Sequence, residues 1–142
     1  MKATELMVGD WVCLKDDTKY ELPLKVDGVL TDDISIEGEG FLGGVDGLIR
    51  PIPITPEILE KNGFHLELSS DKENVYSHFD EGDCTPIIFL SAGQEKWTLH
   101  VKNYILKKCL DFIIFHDTLY VHELQHTLQL CGLDELADNF KV

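Results

Sequence analysis

Apolar and polar positions alternate with a period of two along the first third of the chain, which predicts strands. Leu6 to Leu14, LMVGDWVCL, gives an apolar pair, a Gly9-Asp10 turn, and a strand with Trp11 and Cys13 on one face and Val12 and Leu14 on the other. Asp16 to Lys19 supply the next turn. From Leu22 to Leu30, Leu22, Leu24 and Val26 alternate with Pro23, Lys25 and Asp27, and after a turn at Asp32-Asp33 the alternation resumes at Ile34 and Ile36. Between Gly38 and Gly47 stand Gly38, Gly40, Gly43, Gly44 and Gly47, with Phe41 and Leu42 among them, and this segment is read as a loop. Leu48 to Ile54, LIRPIPI, is expected at a sheet edge, because proline has no N–H to give to a ladder.

The pattern then changes. Thr55 to Gly63 reads as a short helix: Thr55 caps it, Pro56 takes the first position, Glu57 suits the positive end and Gly63 stops it. Its place is a corner between two β regions. Phe64 to Leu68 predicts a strand, Ser69 to Asp83 a polar loop, and Pro86 to Leu90 with Trp97 to Val101 a hairpin around Ala92-Gly93. Cys109 to Phe115, apolar almost throughout, is expected to be a central strand.

The clearest helix runs from Thr118 to Gly132, TLYVHELQHTLQLCG. With Tyr120 as reference, Val121, Leu124, Leu128 and Cys131 fall in a stripe about 100° wide, the width of a core-facing side. Thr118 or Asp117 can cap the start, and Gly132 provides the left-handed position that ends helices. His122, Gln125, His126 and Gln129 lie on the other side, flanked by Leu119, Leu130 and Leu133, so a neighbouring element or a second subunit could shade that face. His122, Glu123 and His126 spell the His-Glu-x-x-His pattern of zinc peptidases. Two imidazoles one turn apart can reach one Zn²⁺, and the glutamate can act as base on the metal-bound water. A zinc site also needs a third ligand. Ten residues follow Gly132, and the positions after His126 are Thr127, Leu128 and Gln129, so neither a downstream glutamate helix nor a glycine-spaced third histidine is present. Glu135, Asp138, His116 and Asp117 are the remaining candidates, at no established spacing. The pattern is read as incidental and the face as a solvated polar one.

Composition narrows the function classes. The net charge is −14, from 26 acidic and 12 basic side chains, and Arg50 is the one arginine. Affinity for nucleic acid comes from clustered Lys and Arg, and Lys107-Lys108 is the nearest approach to a cluster, so direct nucleic-acid binding is not expected. An acidic surface that mimics DNA is an alternative use of the charge. The glycine-rich stretch lacks the Gly-Lys-Ser/Thr ending of a phosphate cradle, and its GxGxxG spacing precedes no helix pattern. No apolar run approaches the roughly 18 residues of a membrane span, and no signal peptide is indicated, which points to the cytoplasm. Cys13, Cys84, Cys109 and Cys131 form no CxxC pair and sit in apolar runs, as reduced core thiols do.

KATELMVGDWV, LIRPIPITPEILEKNGF and YVHELQHTLQLCG together resemble a group of small uncharacterised proteins from genomes and prophages of Bacteroides-group gut bacteria. The resemblance spans nearly the whole chain. It implies a cytosolic protein of mobile-element context, without an assigned activity. In that group the closing stretch can carry glutamine at the position of Glu123 and asparagine at that of His126, which implies that neither is an obligatory catalytic or metal residue.

The resulting expectation is an α+β fold: a mostly antiparallel, partly barrel-like sheet of six to eight strands, a short central helix, and a C-terminal helix packed on the sheet. Residues 1–142 form one domain, divisible into a small-barrel subunit over 1–54 and an α+β remainder over 55–142. Trp11, Val26, Ile36, Phe64, Ile88, Phe89, Leu99, Phe112 and Ile114 are the expected core. The expected function is a non-enzymatic phage or mobile-element accessory protein that binds a protein partner, with a homodimer through the C-terminal helix as one form of that contact. No cofactor is expected. The alternative is a minimal zinc hydrolase with His122 and His126 as ligands and Glu123 as base.

Overall fold

A computed structural model describes residues 1–14, 22–44, 47–78, 84–91, 97–103, 108–114 and 118–142. The fold is α+β, built on two antiparallel five-stranded sheets. The first contains β1 (Trp11–Leu14), β2 (Pro23–Val29), β3 (Ile34–Ile36), β4 (Gly40–Leu42) and β5 (Ile49–Pro51), in the order β4-β3-β2-β1-β5. The second contains β6 (Phe64–Ser69), β7 (Glu73–His78), β8 (Cys84–Ser91), β9 (Trp97–Asn103) and β10 (Lys108–Ile114), in the order β10-β9-β8-β7-β6. The helix α1 (Pro56–Lys61) turns the corner between them, and α2 (Val121–Leu130) and α3 (Asp134–Asp138) close the chain. No helix among the described residues is long and apolar enough to cross a membrane.

The alternation in β1 divides the interior in two. Val12 faces a core made with Ala3, Leu6, Val26, Ile34, Ile36 and Ile49, so the first sheet folds around its own apolar residues, with a 3-10 turn at Ala3–Glu5 joining them. The sheet remains open, with β4 and β5 as its edges. Cys13 faces the other way, into a larger core that gathers Ile52, Ile54, Leu59, Phe64, Tyr76, Ile88, Leu99, Leu119, Leu124, Leu128 and Phe140. That second core draws on both sheets and all three α-helices. The first sheet is therefore joined to the rest of the chain through apolar burial.

Local chemistry explains the corner. The Thr55 hydroxyl accepts a hydrogen bond from the Ile58 N–H at 3.3 Å, and Pro56 begins α1, as the sequence pattern requires. Gly63 has φ +79, and a Cβ there would lie 3.0 Å from Nε2 of His78, so a side chain would be both strained and crowded. Asn62, buried at the end of α1, donates from Nδ2 to the Ile58 and Lys141 carbonyls and accepts from the Lys141 N–H. The last residues of the chain are thereby strapped to α1.

Several expectations need correction. The described residues form ten strands rather than six to eight, because two segments read as loops contain strands. β4 lies inside Gly38–Gly47, where its partner β3 supplies the ladder that glycine-rich sequence does not advertise. β7 lies inside Ser69–Asp83: Val75, Tyr76 and Ser77 are buried despite polar neighbours, and β7 is hydrogen-bonded on both sides. β10 is an edge strand, not a central one. Of the expected core, Val26, Ile36, Phe64, Ile88 and Leu99 are buried, whereas Trp11 is only partly so. The side chains of Phe89, Phe112 and Ile114 lie outside the described residues, as does the Ala92-Gly93 turn. Cys13 and Cys131 pack on the larger core as thiols.

Leu124 is wholly buried and Leu130 is 77% exposed, one and a half turns further along the same helix. Leu124→Ala is expected to cost about 2–5 kcal/mol by urea unfolding, the usual range for a truncated core leucine. Leu130→Ala should stay within about 0.5 kcal/mol of the parent.

Candidate functional site

The start of α2 is set by backbone pairing rather than by a capping hydroxyl. The Ile54 N–H donates to the Leu119 carbonyl at 2.8 Å and the Val121 N–H to the Ile52 carbonyl at 2.9 Å, around an antiparallel bridge between Pro53 and Tyr120. Tyr120 is thus held extended, with φ −102 and ψ 153, and the helix begins at Val121, three residues later than expected from Thr118. The Tyr120 N–H is accepted by the Glu123 carboxylate at 3.1 Å. Glu123 takes the capping role assigned to Thr118 or Asp117, the latter lying outside the described residues. Gly132, with φ +77, ends the helix as expected.

The polar face of α2 is not solvated. Gln125 is 2% exposed and His122 is 8% exposed, while His126 is half-buried. The apolar stripe of Val121, Leu124 and Leu128 enters the larger core as expected, and the opposite face meets the Met7–Trp11 turn and α3. Gln125 donates from Nε2 to the carbonyls of Gly9 and Ala137, both at 3.0 Å, and its Oε1 accepts from the Trp11 N–H at 3.3 Å. One amide therefore joins β1, α2 and α3. Trp11 adds a second link, donating from Nε1 to the Phe140 carbonyl at 2.8 Å.

Asp10 is the residue that sequence reading missed, having been read only as part of a turn. Its carboxylate is enclosed and lies 2.8 and 3.0 Å from Nε2 of His126, while Oδ2 also accepts the Met7 N–H at 2.7 Å. The Asp10 carbonyl in turn accepts the Val26 N–H, which fixes the turn on β2. A signal was present in the sequence, since an Asp that follows Gly at a tight turn often bonds nearby backbone. Its partner on α2, 116 positions away, was not.

His122 stands beside this pair. Its ring centroid is 5.8 Å from that of His126 at an interplanar angle of 83°, and 6.1 Å from that of Tyr120, nearly parallel. Its Nδ1 is enclosed and has no hydrogen-bond partner among the described residues. Burial pushes this imidazole below its ordinary pKa; the Asp10, Glu123 and Glu5 carboxylates pull the other way, and His126 adds to the lowering.

The arrangement can fix the orientation of the His126 ring and hold the seam between α2 and the first sheet. An Asp–His pair can also steer a general base toward a nucleophile. Here no hydroxyl or thiol among the described residues is hydrogen-bonded to His126. The candidate zinc residues have other partners: His126 Nε2 faces Asp10, and Glu123 caps the helix. Among the described residues no three His, Cys, Asp or Glu side chains are grouped so that they could hold a metal ion. Of the third-ligand candidates, Asp138 accepts from Gln129 through Oδ1 and Glu135 is an exposed residue of α3; His116 and Asp117 lie outside the described residues. Comparison with protein-family models, curated proteins and solved structures gives no match.

Gln125→Ala removes the side-chain partner of the Gly9 carbonyl and the Trp11 N–H, whereas the Ala137 carbonyl keeps the Phe140 N–H at 3.3 Å; at roughly 1–3 kcal/mol for each of the two groups left unpaired it should cost about 2–6 kcal/mol. Gln129→Ala, which loses a 3.3 Å exposed contact to Asp138, should cost less than about 1 kcal/mol. Chemical denaturation of both variants checks the contrast.

Proposed function

We propose that the chain is a non-enzymatic accessory protein that acts by contacting another protein. The observation that carries this reading is the use made of the His-Glu-x-x-His side chains. A zinc hydrolase needs both imidazoles turned to one open point and a carboxylate available as base. In this chain Glu123 bonds the Tyr120 N–H and His126 bonds Asp10, so the residues with chemical potential are engaged in holding the fold. The resemblance to Bacteroides-group prophage proteins supports a cytosolic, mobile-element setting. The charge of −14 with a single arginine argues for a protein partner over a phosphate backbone.

The polar face of α2 is covered by the Met7–Trp11 turn and α3 of the same chain, so contact through that face is not part of the proposal. The glycine-rich segment offers a better surface. Phe41 on β4, the edge strand of the sheet among the described residues, is 71% exposed, and an aromatic side chain beside a strand edge suits recognition of another chain.

Elemental analysis of protein purified without a histidine tag tests the reading. Metal well below one ion per chain is expected, unchanged in His126→Ala. Stoichiometric zinc that His126→Ala abolishes would overturn it in favour of a hydrolase with His122 and His126 as ligands and Glu123 as base.

A further inference from the structure

We propose that the β4 edge binds an extended, basic segment of a partner protein, which pairs its backbone with β4 and lays an arginine or lysine side chain on the Phe41 ring. The proposal rests on the reading of the chain as a protein that acts by contacting another protein, and it names the chemistry of that partner. β4 has β3 on one side and no strand on the other among the described residues. Its register is regular, with Ile34 opposite Leu42, Ser35 opposite Phe41 and Ile36 opposite Gly40. An open edge of this kind accepts a further strand, whose backbone bonds give affinity while its alternate side chains give specificity.

The two faces of β4 differ. Leu42 packs on the small core of the first sheet with Ile34, so Phe41 stands on the other face, where it is 71% exposed. Its cross-strand neighbours on that face are small. They are Ser35 and, beyond it, Gly28, where a Cβ would already lie 3.2 Å from that of Ser35. No large side chain of β2 or β3 therefore stands beside Phe41 on this row, and its aromatic face is available to a visitor.

Charge selects the occupant. Between Lys25 and Arg50 the sequence carries Asp27, Asp32, Asp33, Glu37, Glu39 and Asp46 and no basic residue. Glu37 and Glu39, in the turn that leads into β4, are exposed. The face of an aromatic ring is electron-rich and attracts a cation. A basic side chain opposite Phe41 leaves the next one on the same face, two positions along, at the end of the strand where Glu39 lies. A second copy of this chain does not fit, because it would bring the same carboxylates against themselves. β6, an edge of the second sheet, also exposes Leu66 and Leu68, but its register shifts between them, and such a bulge turns an edge away from a further strand.

Amide chemical shifts followed by NMR, with capped synthetic peptides as probes, test the assignment. A peptide of alternating arginine and valine is expected to shift the Phe41 and Leu42 amides saturably, and to bind more weakly as salt rises. Phe41→Ala should weaken its binding about fivefold. Glu39→Lys should weaken it by a similar factor, whereas Glu135→Lys, the same change of charge on α3, should leave it within about twofold of the parent. All three positions are exposed, so none of these changes disturbs the core. Shifts spread over the acidic surface, or equal binding by the parent and Phe41→Ala, would overturn the proposal. So would binding of an alternating glutamate and valine peptide at the same amides, although that result would leave the protein-contact reading standing. Failure of both peptides to shift β4 would overturn it as well, while the broader reading falls separately, on stoichiometric zinc held through His126.

Discussion

Burying an amide side chain is tolerable only when its donors and acceptor are all met, and Gln125 meets them with backbone from two distant parts of the chain, residues 9–11 and Ala137. That requirement constrains the geometry strongly. Gly9, Trp11 and Ala137 must each present a particular polar atom to the same point on α2. The position of the first sheet relative to the C-terminal helices follows. An apolar residue at this position could pack against the same neighbours, but it would remove the partner that the Gly9 carbonyl and the Trp11 N–H have on α2 and would not specify where they lie.

The helix α2 is thus enclosed on two sides by different physics. Its apolar stripe lies in a core made with the second sheet, where burial is non-directional and many side chains would serve. Its polar face meets the first sheet through hydrogen bonds, which are directional and fix register. The backbone bridge between residues 52–54 and 119–121 aligns both surfaces, because it sets where the first helical turn begins. Glu123 completes that start. A motif that resembles a metal site in one dimension becomes a set of structural contacts in three.

Much of the fold was legible where local rules govern. The opposite faces of β1, the strands β2 and β3, the Thr55 cap with Pro56, the edge position of β5 and the apolar stripe of α2 all follow from short-range periodicity and capping. Legibility failed where the determining partner is distant. β7 looks polar because its ladder comes from β6 and β8, and β4 looks like a loop because glycine hides a strand that β3 pairs. The face of His122, Gln125 and His126 looked solvated because residues 9–11, which cover it, lie more than a hundred positions earlier. Asp10 was visible as a turn residue but not as the partner of a histidine. Apolar content placed β10 centrally, yet it stands at the edge of the second sheet beside β9.

The link from the Trp11 indole to the Phe140 carbonyl, with Gln125 and Asn62 adding ties of comparable span, has a bearing on how the chain is made. During vectorial synthesis the first sheet emerges early and can gather Val12, Val26, Ile34 and Ile36 around its own small core. The face carrying Trp11 and Cys13 must wait, since the helices that cover it are synthesised more than a hundred residues later. Until then an apolar strand face and several backbone groups stay open to solvent, and closure carries the entropic cost of a loop well over a hundred residues long. Nascent chains that stall late would display this uncovered face to chaperones, whereas chains carried through residue 140 can withdraw it in a single docking event.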